Sequence, residues 1–371
     1  MRKLARDVMT ARQRIEATLR GEKPDRIPIF DLIQHVPLIE HITGCKVTSE
    51  NSLDLLCRTI GECLDITRGI APFPEPRVDR HPDGFVYKHE WWTTWLIDRP
   101  FHDVAGCLAY IRRNIEEIRD RKPGEMWTFA GKGNVWGVAG ESPREQFLAL
   151  QARCGDNTVL FPNESPVGLD TAYHRAGFET FTYAYAEAPD LVSEWLETLN
   201  WAEIERVKET ADPELSPVAL VYADIADKNS VFFSPRFLRK EFIPRVEKLV
   251  AAWHERGIKV IYHSDGSLWH ILDDLAATGI DGLNPLEPLS DMYAGKVRKA
   301  HPEWILMGGI DASNLLAFGT PEDVRAAVRK TIDDAGREGR LWLGSSTEIH
   351  PGVKLENALA MWDEIERYGY Y

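Results

Sequence analysis

The second half of the chain alternates short apolar segments with amphipathic ones, five times in succession. The apolar segments are VALVYAD, KVIYH, DGLNPLE, WILMGGID and RLWLGSS, and a stretch with helical spacing follows each. This alternation predicts parallel strands joined by helices, because parallel neighbours need a long crossover connection. The segments are apolar throughout, as expected of strands covered on both faces. The chain has no GxGxxG or GxxxxGK[ST] fingerprint, so the pattern favours an α/β fold of the (β/α)8 TIM-barrel type over a nucleotide-binding sheet.

The first half of the chain predicts extensions to this barrel. Residues 10–21 have helical spacing with Thr10 as N-cap, residues 50–64 form a second helix, and IPIF ending at Phe30 is a short strand. FVYKHEWWTTWLID reads as hairpin strands, and MWTFAGKG and NTVLFPNESPVGLD as strands with loops. A long helix is predicted over 188–211. No linker divides the chain, so residues 1–371 are predicted to be a single domain with N-terminal helical and hairpin extensions.

Composition excludes several classes of function. The formal net charge of the 371 residues is −14, which disfavours binding to nucleic acid or to an anionic membrane surface. No apolar run reaches the ~18 residues that a membrane span needs. The cysteines form no CxxC pair, and the N-terminus has no signal-peptide pattern. Reduced thiols in a cytoplasmic protein are therefore predicted.

Ionisable residues follow the predicted strands at the point where each strand ends. The C-terminal ends of barrel strands converge on one pocket, which makes Asp224, His263, Glu287 and Asp311 the predicted catalytic residues. Imidazole titrates near neutral pH, and carboxylates can accept a proton or orient a substrate. Each residue also has a structural alternative. The histidine could fix its turn, Glu287 could pair with a basic side chain, and Asp311 could cap a helix.

Further side chains around the same strand ends are candidates for binding. Asp265 lies two residues after His263, so both could reach one metal ion, although Asp265 could equally be an N-cap. The predicted metal ligands are His263, Asp265 and Glu348, the last in LGSSTE. The predicted substrate-binding residues, drawn from the same strand ends and loops, are Asn163, Glu164, Tyr222, Asp227, Asn284 and Ser346.

Several segments together resemble the uroporphyrinogen decarboxylase superfamily, which also contains cobamide-dependent methyltransferases. They are RQRIEATLRGEKPDRIPIF, SPRFLRKEFIPRVEKLV, HSDG, GLNPLEP, GGID, GTPEDVR and ENALAMWDEIERYG, and they span almost the whole chain. Each motif is short, and their order and spacing carry the resemblance. It implies a single (β/α)8 barrel with its pocket at the C-terminal ends of the strands.

Two departures from the superfamily narrow the activity that the resemblance implies. True uroporphyrinogen decarboxylases carry an arginine-rich loop after the first strand, whereas DLIQHVPLIEHITG contains no arginine. The thiol-alkylating methyltransferases bind zinc through a His-x-Cys pair and a later cysteine. Here the pair is His263 and Asp265, and no cysteine follows Cys154. A zinc–thiolate site is therefore excluded, while an oxygen-rich zinc site around His263 remains open.

Three hypotheses follow. The first is a methyltransferase that passes a methyl group from a small O- or N-methylated substrate to a corrinoid on a separate partner protein, with zinc polarising the leaving group. The second is a metal-free decarboxylase or lyase of a small carboxylated substrate, in which Asp224 or Asp311 stabilises a developing cation and His263 or Tyr222 delivers a proton. The third is a non-catalytic ligand-binding barrel. A homodimer is a further expectation.

Overall fold

The structure, a computed structural model, describes residues 6–68, 70–122, 142–155, 159–160 and 164–371. Strands in these residues are β1 Ile66–Thr67, β2 Arg77–Arg80, β3 Val86–His89, β4 Thr94–Asp98, β5 Val159–Leu160, β6 Glu164–Pro166, β7 Val218–Tyr222, β8 Lys259–His263, β9 Gly282–Leu286, β10 Ile305–Ile310 and β11 Leu341–Ser345.

The helices lie mostly between the strands. They are α1 Ala11–Leu19, α2 Val36–Thr43, α3 Ser52–Cys63, α4 Val104–Arg119, α5 Pro143–Cys154, α6 Leu169–Ala176, α7 Phe178–Glu187, α8 Pro189–Thr210, α9 Pro235–Glu241, α10 Ile243–His254, α11 Leu272–Ala277, α12 Ala294–Ala300, α13 Leu315–Phe318, α14 Pro321–Thr331 and α15 Leu355–Tyr368. A 3-10 turn spans Pro288–Ser290, and a π-helical segment spans Ile332–Gly336.

A six-stranded parallel sheet forms the centre, in the order β11-β10-β9-β8-β7-β6. Its strands from β7 onward are the five apolar segments of the sequence, and nearly every residue in them is buried. Both faces of the strands are buried: Val260 and Tyr262 pack in the larger hydrophobic cluster with helix residues, whereas Leu220 and Ile261 pack in a second cluster with residues of other strands. This explains why the strands lack a polar side. The predicted α/β class and the five strand–helix units are therefore confirmed.

The sheet continues beyond β11 through the N-terminal segment. Ile29 pairs with Leu343 of β11, Phe30 pairs with Ile66 of β1, and β1 pairs with β5, all in parallel. The predicted strand at this position is thus reduced to two bridging residues. The hydrogen-bonded order of the described strands runs from β5 through β1 to β11 and on to β6. A closed eight-stranded barrel would add the link between β5 and β6, which falls at residues outside the described part.

The N-terminal extensions match the sequence in part. Helix α1 starts after Thr10, whose hydroxyl accepts the Gln13 N–H in a capping box, as predicted. Helix α3 corresponds to the predicted 50–64 segment, and β2, β3 and β4 form the antiparallel hairpin sheet. Helices α2, α4, α5, α6 and α7 were not predicted. The MWTFAGKG segment lies outside the described residues.

One predicted helix is divided in two. The stretch with helical spacing that follows VALVYAD runs over residues 234–257 and predicts one continuous helix. In the structure, α9 ends at Glu241 and α10 begins at Ile243. Pro244 follows immediately and has no N–H to donate to the preceding turn, so the hydrogen-bond ladder breaks there. In the described part of the chain, no helix is long and apolar enough to cross a membrane.

A buried ion network fixes the N-terminal segment beneath the sheet. Asp65 accepts hydrogen bonds from Arg14 at 2.7 Å, from Arg26 at 2.5 Å and from the backbone N–H of Ile29 at 2.8 Å. Asp7 and Asp25 also form salt bridges with these arginines, so the network contains three carboxylates and two guanidinium groups, and every one of these side chains is at least 94% buried. Asp65 therefore links α1, the first bridging segment and β1.

A second buried carboxylate lies at the other end of that segment. Asp31 is fully buried and accepts hydrogen bonds from the Ser345 hydroxyl at 2.5 Å and from the Trp362 indole N–H at 3.0 Å. Burial raises the pKa of Asp31 to about 7, against the lowering effect of these two donors. Asp31 ties the N-terminal segment to β11 and α15.

The substitution Asp65→Asn tests the buried network. It removes one of the three carboxylates that pair with Arg14 and Arg26, and it can turn an amide NH2 toward a guanidinium that has lost its acceptor. We therefore expect the free energy of unfolding to fall by about 1–3 kcal/mol. The matched control is Glu62→Gln, which breaks the exposed Arg58–Glu62 pair and should cost below about 0.5 kcal/mol. Urea denaturation of both variants gives the comparison. Equal losses would contradict the central role of Asp65.

The substitution Asp31→Asn tests the pH dependence of stability. Since the folded chain raises the pKa of Asp31 to about 7, the native state keeps its proton where the unfolded chain has released it. The stabilising contribution is full below about pH 4 and is lost as the pH rises to about 7, at up to about 1.4 kcal/mol per pH unit. We expect the variant to lose this slope in urea denaturation across that range. Parallel curves for the two proteins would show that Asp31 is charged in the native state.

Candidate active site

Three neighbouring strands place residues of their C-terminal halves side by side. The register of β7, β8 and β9 pairs Tyr222 with His263 and His263 with Asn284. His263 is 5% exposed, and its Nδ1 lies 2.7 Å from Oδ1 of Asn284. The amide nitrogen of Asn284 donates to the Met307 carbonyl at 3.4 Å, which leaves Oδ1 as the acceptor. The histidine therefore carries its proton on Nδ1 and has a lone pair on Nε2.

Carboxylates face that lone pair. Oδ1 of Asp224 lies 3.7 Å from Nε2 of His263 and accepts the backbone N–H of Asp265 at 3.2 Å. Oε2 of Glu287 accepts the N–H of Gly266 at 2.9 Å and the hydroxyl of Ser290 at 2.8 Å. The backbone of the β8 loop thus holds both carboxylates in place.

Gly266 is required for this loop geometry. Its φ is +89°, and a Cβ added there would lie 2.5 Å from the Asp227 carbonyl oxygen. Any other residue would push the loop away from Glu287. Asp265 precedes it, and its buried Oδ1 has no hydrogen-bond partner.

Arg68 is a site residue that the sequence did not reveal. It follows β1 directly and pairs with Glu164 of β6, with 3.2 Å between Nε and Oε1. Its charge also acts on Asp224 and Asp265. Burial opposes the charge of Arg68, but these carboxylates outweigh it and raise its pKa. The signal in the sequence was weak, because the strand before Arg68 has only two residues.

Asp170 is a second residue that the sequence did not single out. It lies in the first turn of α6, just after β6, and is 6% exposed. Burial and then the nearby charge of Asp224 raise the pKa of Asp170 to about 7, and its Oδ1 has no hydrogen-bond partner. Burial and the charge of Asp170 also raise the pKa of the Tyr222 phenol. Asp170 and Tyr222 therefore belong to the same electrostatic cluster.

Burial and mutual repulsion set the charge states of this cluster. Burial and the Arg68 guanidinium together lower the pKa of His263 to about 4, against the raising effect of the Asp224 charge. Burial raises the pKa of Asp265 to about 7, assisted by the charges of Asp224 and Glu287. Burial also raises the pKa of Glu348, while Arg68 acts in the opposite direction. The predicted residues Glu164, Asp224, His263, Asp265, Glu287 and Glu348 therefore interact around Arg68.

Other predicted residues lie in structural contacts. Asp311 is 9% exposed, and its carboxylate accepts the backbone N–H groups of Ser313, Asn314 and Leu315, which is the helix-capping arrangement. Ser346 accepts the N–H of Ala312 and so joins two loops.

Two predicted substrate-binding residues remain. Asp227 is exposed and accepts the N–H groups of Asn229 and Ser230 within its own turn, and these bonds lower its pKa. Asn163 lies outside the described residues, so its prediction is not tested.

The residues fit a metal ion only in part. The free lone pair of His263 and the unpartnered oxygen of Asp265 are suitable donors. Within the described residues, however, no three histidine, cysteine, aspartate or glutamate side chains are arranged to hold a metal ion. The predicted ligand set of His263, Asp265 and Glu348 is therefore not assembled in this arrangement.

Comparison with known proteins gives a family and a fold. The family model described as Uroporphyrinogen decarboxylase (URO-D) matches residues 165–368. A methyltransferase from Methanosarcina mazei is similar in structure with a TM-score of 0.67, at 17% identity over 97% of this chain and 99% of that one. A similarity at this identity concerns the fold alone.

A xylose isomerase-like TIM barrel protein from Mycobacterium smegmatis, in complex with magnesium, aligns over 78% of this chain and 94% of that one. The alignment has 14% identity and a TM-score of 0.37, too low to support an argument. No curated protein sequence matches the chain significantly.

The charge state of His263 is open to direct measurement. With its pKa lowered to about 4, the ring should stay neutral, with the proton on Nδ1, from pH 8 down to pH 5 in metal-free protein. The substitution Asn284→Asp places a carboxylate against Nδ1 and should raise the pKa by about 1–3 units. Nitrogen-15 NMR of the imidazole follows both. A ring that already charges near pH 6.5 in the unsubstituted protein would contradict this assignment.

Proposed function

Because the chain belongs to the uroporphyrinogen decarboxylase family, which also includes methyltransferases, we propose that it is a methyltransferase. The proposed substrate is a small O- or N-methylated compound, and the acceptor is a corrinoid carried by a separate protein. The strand-end cluster around His263 and Arg68 is the proposed active site. The acidity of this cluster is the observation that carries the proposal.

The acidity argues against the reaction that gives the family its name. A tetrapyrrole with many carboxylates needs a basic pocket, because like charges repel strongly where water is partly excluded. Here the charges of Asp224, Glu287 and Glu348 act on Asp265, and the guanidinium of Arg68 beside them is itself paired with Glu164. The fold similarity to a methyltransferase over nearly the whole chain supports the other branch of the family.

The cluster offers defined roles for the proposed transfer. A corrinoid would supply the nucleophile that accepts the methyl group. Asp224 and Glu287, held by backbone N–H groups of the β8 loop, would fix the polar end of the substrate. The neutral His263 donates its Nδ1 proton to Asn284, so its Nε2 lone pair would accept a hydrogen bond from an N–H or O–H group of the substrate. Such positioning by pre-oriented groups lowers the barrier without any metal step.

We also propose that the sheet closes into a (β/α)8 barrel. The pairings of Ile29 with β11 and of Phe30 with β1 leave one link, between β5 and β6, for closure. β5 and β6 are only three residues apart in the sequence, which supports closure at this point. A cytoplasmic location is also part of the proposal, because the cysteines of the described part form no disulfide with one another.

A metal-free decarboxylase or lyase is the second candidate, and Arg68 is the observation that favours it. Its side chain is 16% exposed at the site, and a guanidinium can hold a substrate carboxylate in a bidentate pair. Zinc bound through His263 and Asp265 stays a prediction from residue type.

Methyl transfer tests the proposal directly. The protein is mixed with reduced cobalamin and with panels of methylated amines and methoxylated aromatic compounds, and formation of methylcobalamin is followed by absorbance. We expect turnover with at least one panel and a loss of at least about 100-fold in His263→Ala. Glu62→Gln is the control, because it changes a carboxylate on the far surface of α3. Carbon dioxide release from a carboxylated substrate without methyl transfer would favour the second candidate.

The metal content of the protein shows whether zinc or the protein side chains alone activate the leaving group. The protein is purified without a histidine tag, offered zinc and analysed beside His263→Ala. The residue arrangement leads us to expect activity that survives chelation. About one zinc per chain that is lost in the variant, together with loss of activity on chelation, would instead establish the predicted metal site.

A further inference from the structure

We propose that the methyl group of the substrate is attached to a positively charged nitrogen, as in a quaternary ammonium or a protonated methylamine. This inference deepens the proposed function and rests on it for the transfer step. The preference for a cation is a separate property of the cluster and can be measured without any transfer.

The charges around the site are strongly unbalanced. Among the described residues, six carboxylates interact there with one another or with Arg68, and the other guanidinium nearby, that of Arg206, is held by Glu203. These carboxylates are Glu164, Asp170, Asp224, Asp265, Glu287 and Glu348. His263 is held neutral by Asn284 and by burial, so it adds no positive charge. A cationic ligand would offset the repulsion between these carboxylates, whereas an anionic ligand would add to it.

Arg68 does not cancel this excess. Its guanidinium is already engaged with the carboxylate of Glu164 at 3.2 and 3.5 Å. Within the described ranges, the other five carboxylates form no salt bridge with a lysine or arginine. Asp224 has 46% of its side chain exposed, so a ligand entering from solvent can reach it.

Two buried polar atoms without hydrogen-bond partners are a second, independent indication of a ligand-binding site. Oδ1 of Asp170 is buried with no hydrogen-bond partner, although the residue is only 6% exposed. Oδ1 of Asp265 is in the same condition. A buried acceptor without a partner costs about 1–3 kcal/mol, so native proteins normally satisfy it. The charge of Asp170 acts on Asp224 and Tyr222, which places its carboxylate on the same cluster. An ammonium group would satisfy these oxygens by charge or by N–H donation.

Leaving-group chemistry agrees with this assignment. When the nucleophile forms its bond to the methyl carbon, the C–N bond breaks and its electron pair stays on nitrogen. A tetraalkylammonium therefore leaves as a neutral tertiary amine, and no proton or metal is needed. An ether would leave as an alkoxide, and an alkoxide must be stabilised by a proton or by a metal ion. The neutral amine also loses its attraction to Asp224 and its neighbours, which favours product release.

Binding of three molecules of the same shape tests the charge preference. Choline is cationic, 3,3-dimethylbutan-1-ol is its neutral carbon analogue, and 3,3-dimethylbutanoate is anionic. Titration calorimetry on the full chain at low salt should give choline a Kd at least about ten-fold below that of the alcohol, which is about 1.4 kcal/mol. Tetramethylammonium should compete with choline, and added potassium chloride should weaken both.

Two variants test which carboxylates cause the preference for the cationic ligand. Asp224→Asn and Asp170→Asn keep the side-chain shape and should each weaken choline at least about five-fold while leaving the alcohol unchanged. Glu62→Gln removes the same charge from α3 and should change neither. Thermal unfolding checks that all three variants are folded.

The outcomes are decisive. Equal affinity for choline and the alcohol, tighter binding of the carboxylate, or absence of binding by both ammonium probes at about 50 mM would overturn the inference. Because no methyl acceptor is present, the result does not depend on the proposed reaction. A chain that binds choline but never yields methylcobalamin would retain the cation site and lose the methyltransferase function.

Discussion

The register of the parallel ladder β7-β8-β9 is the constraint on which the site depends. Parallel neighbours share one direction, so their last residues meet at one edge of the sheet. The pairings of Tyr222 with His263 and of His263 with Asn284 follow from that register. A shift of one residue in β9 would point Asn284 to the opposite face and remove the acceptor that fixes the Nδ1 proton. The chemistry at Nε2 is therefore a consequence of backbone hydrogen bonds.

Burial then converts a set of ordinary carboxylates into an electrostatic cluster. Exposed carboxylates at these spacings would be screened by water, but partial burial raises the pKa of Asp265 and Asp170 to about 7. The network around Asp65 differs, because each of its three carboxylates forms a salt bridge with Arg14 or Arg26 and every side chain is sealed from solvent. That network of salt bridges holds the fold together, whereas the carboxylates of the strand-end cluster other than Glu164 lack such pairing among the described residues. The two buried networks thus have different physical roles in one chain.

Prediction from sequence worked where local patterns decide the outcome. The apolar runs from Val218 to Ser345 gave the parallel strands, and Thr10 gave the start of α1. The prediction was incomplete where contacts between distant segments determine the position and role of a residue. Arg68 follows a two-residue strand with no periodicity to detect, and its partner Glu164 lies 96 positions away. Asp311 resembled the other strand-end residues in sequence, yet its carboxylate accepts three backbone N–H groups.

The sequence by itself determined the α/β class, the membership of the superfamily and the identity of the strand-end residues, because side-chain periodicity and strand order are local properties. Only the tertiary structure decided which of those residues share a cluster and what charge they carry. His263, Asp224 and Asp265 meet Arg68 and Asp170 because the sheet and its loops bring them together. Their charge states depend on burial and on neighbours far away in the chain, and no local pattern encodes either quantity.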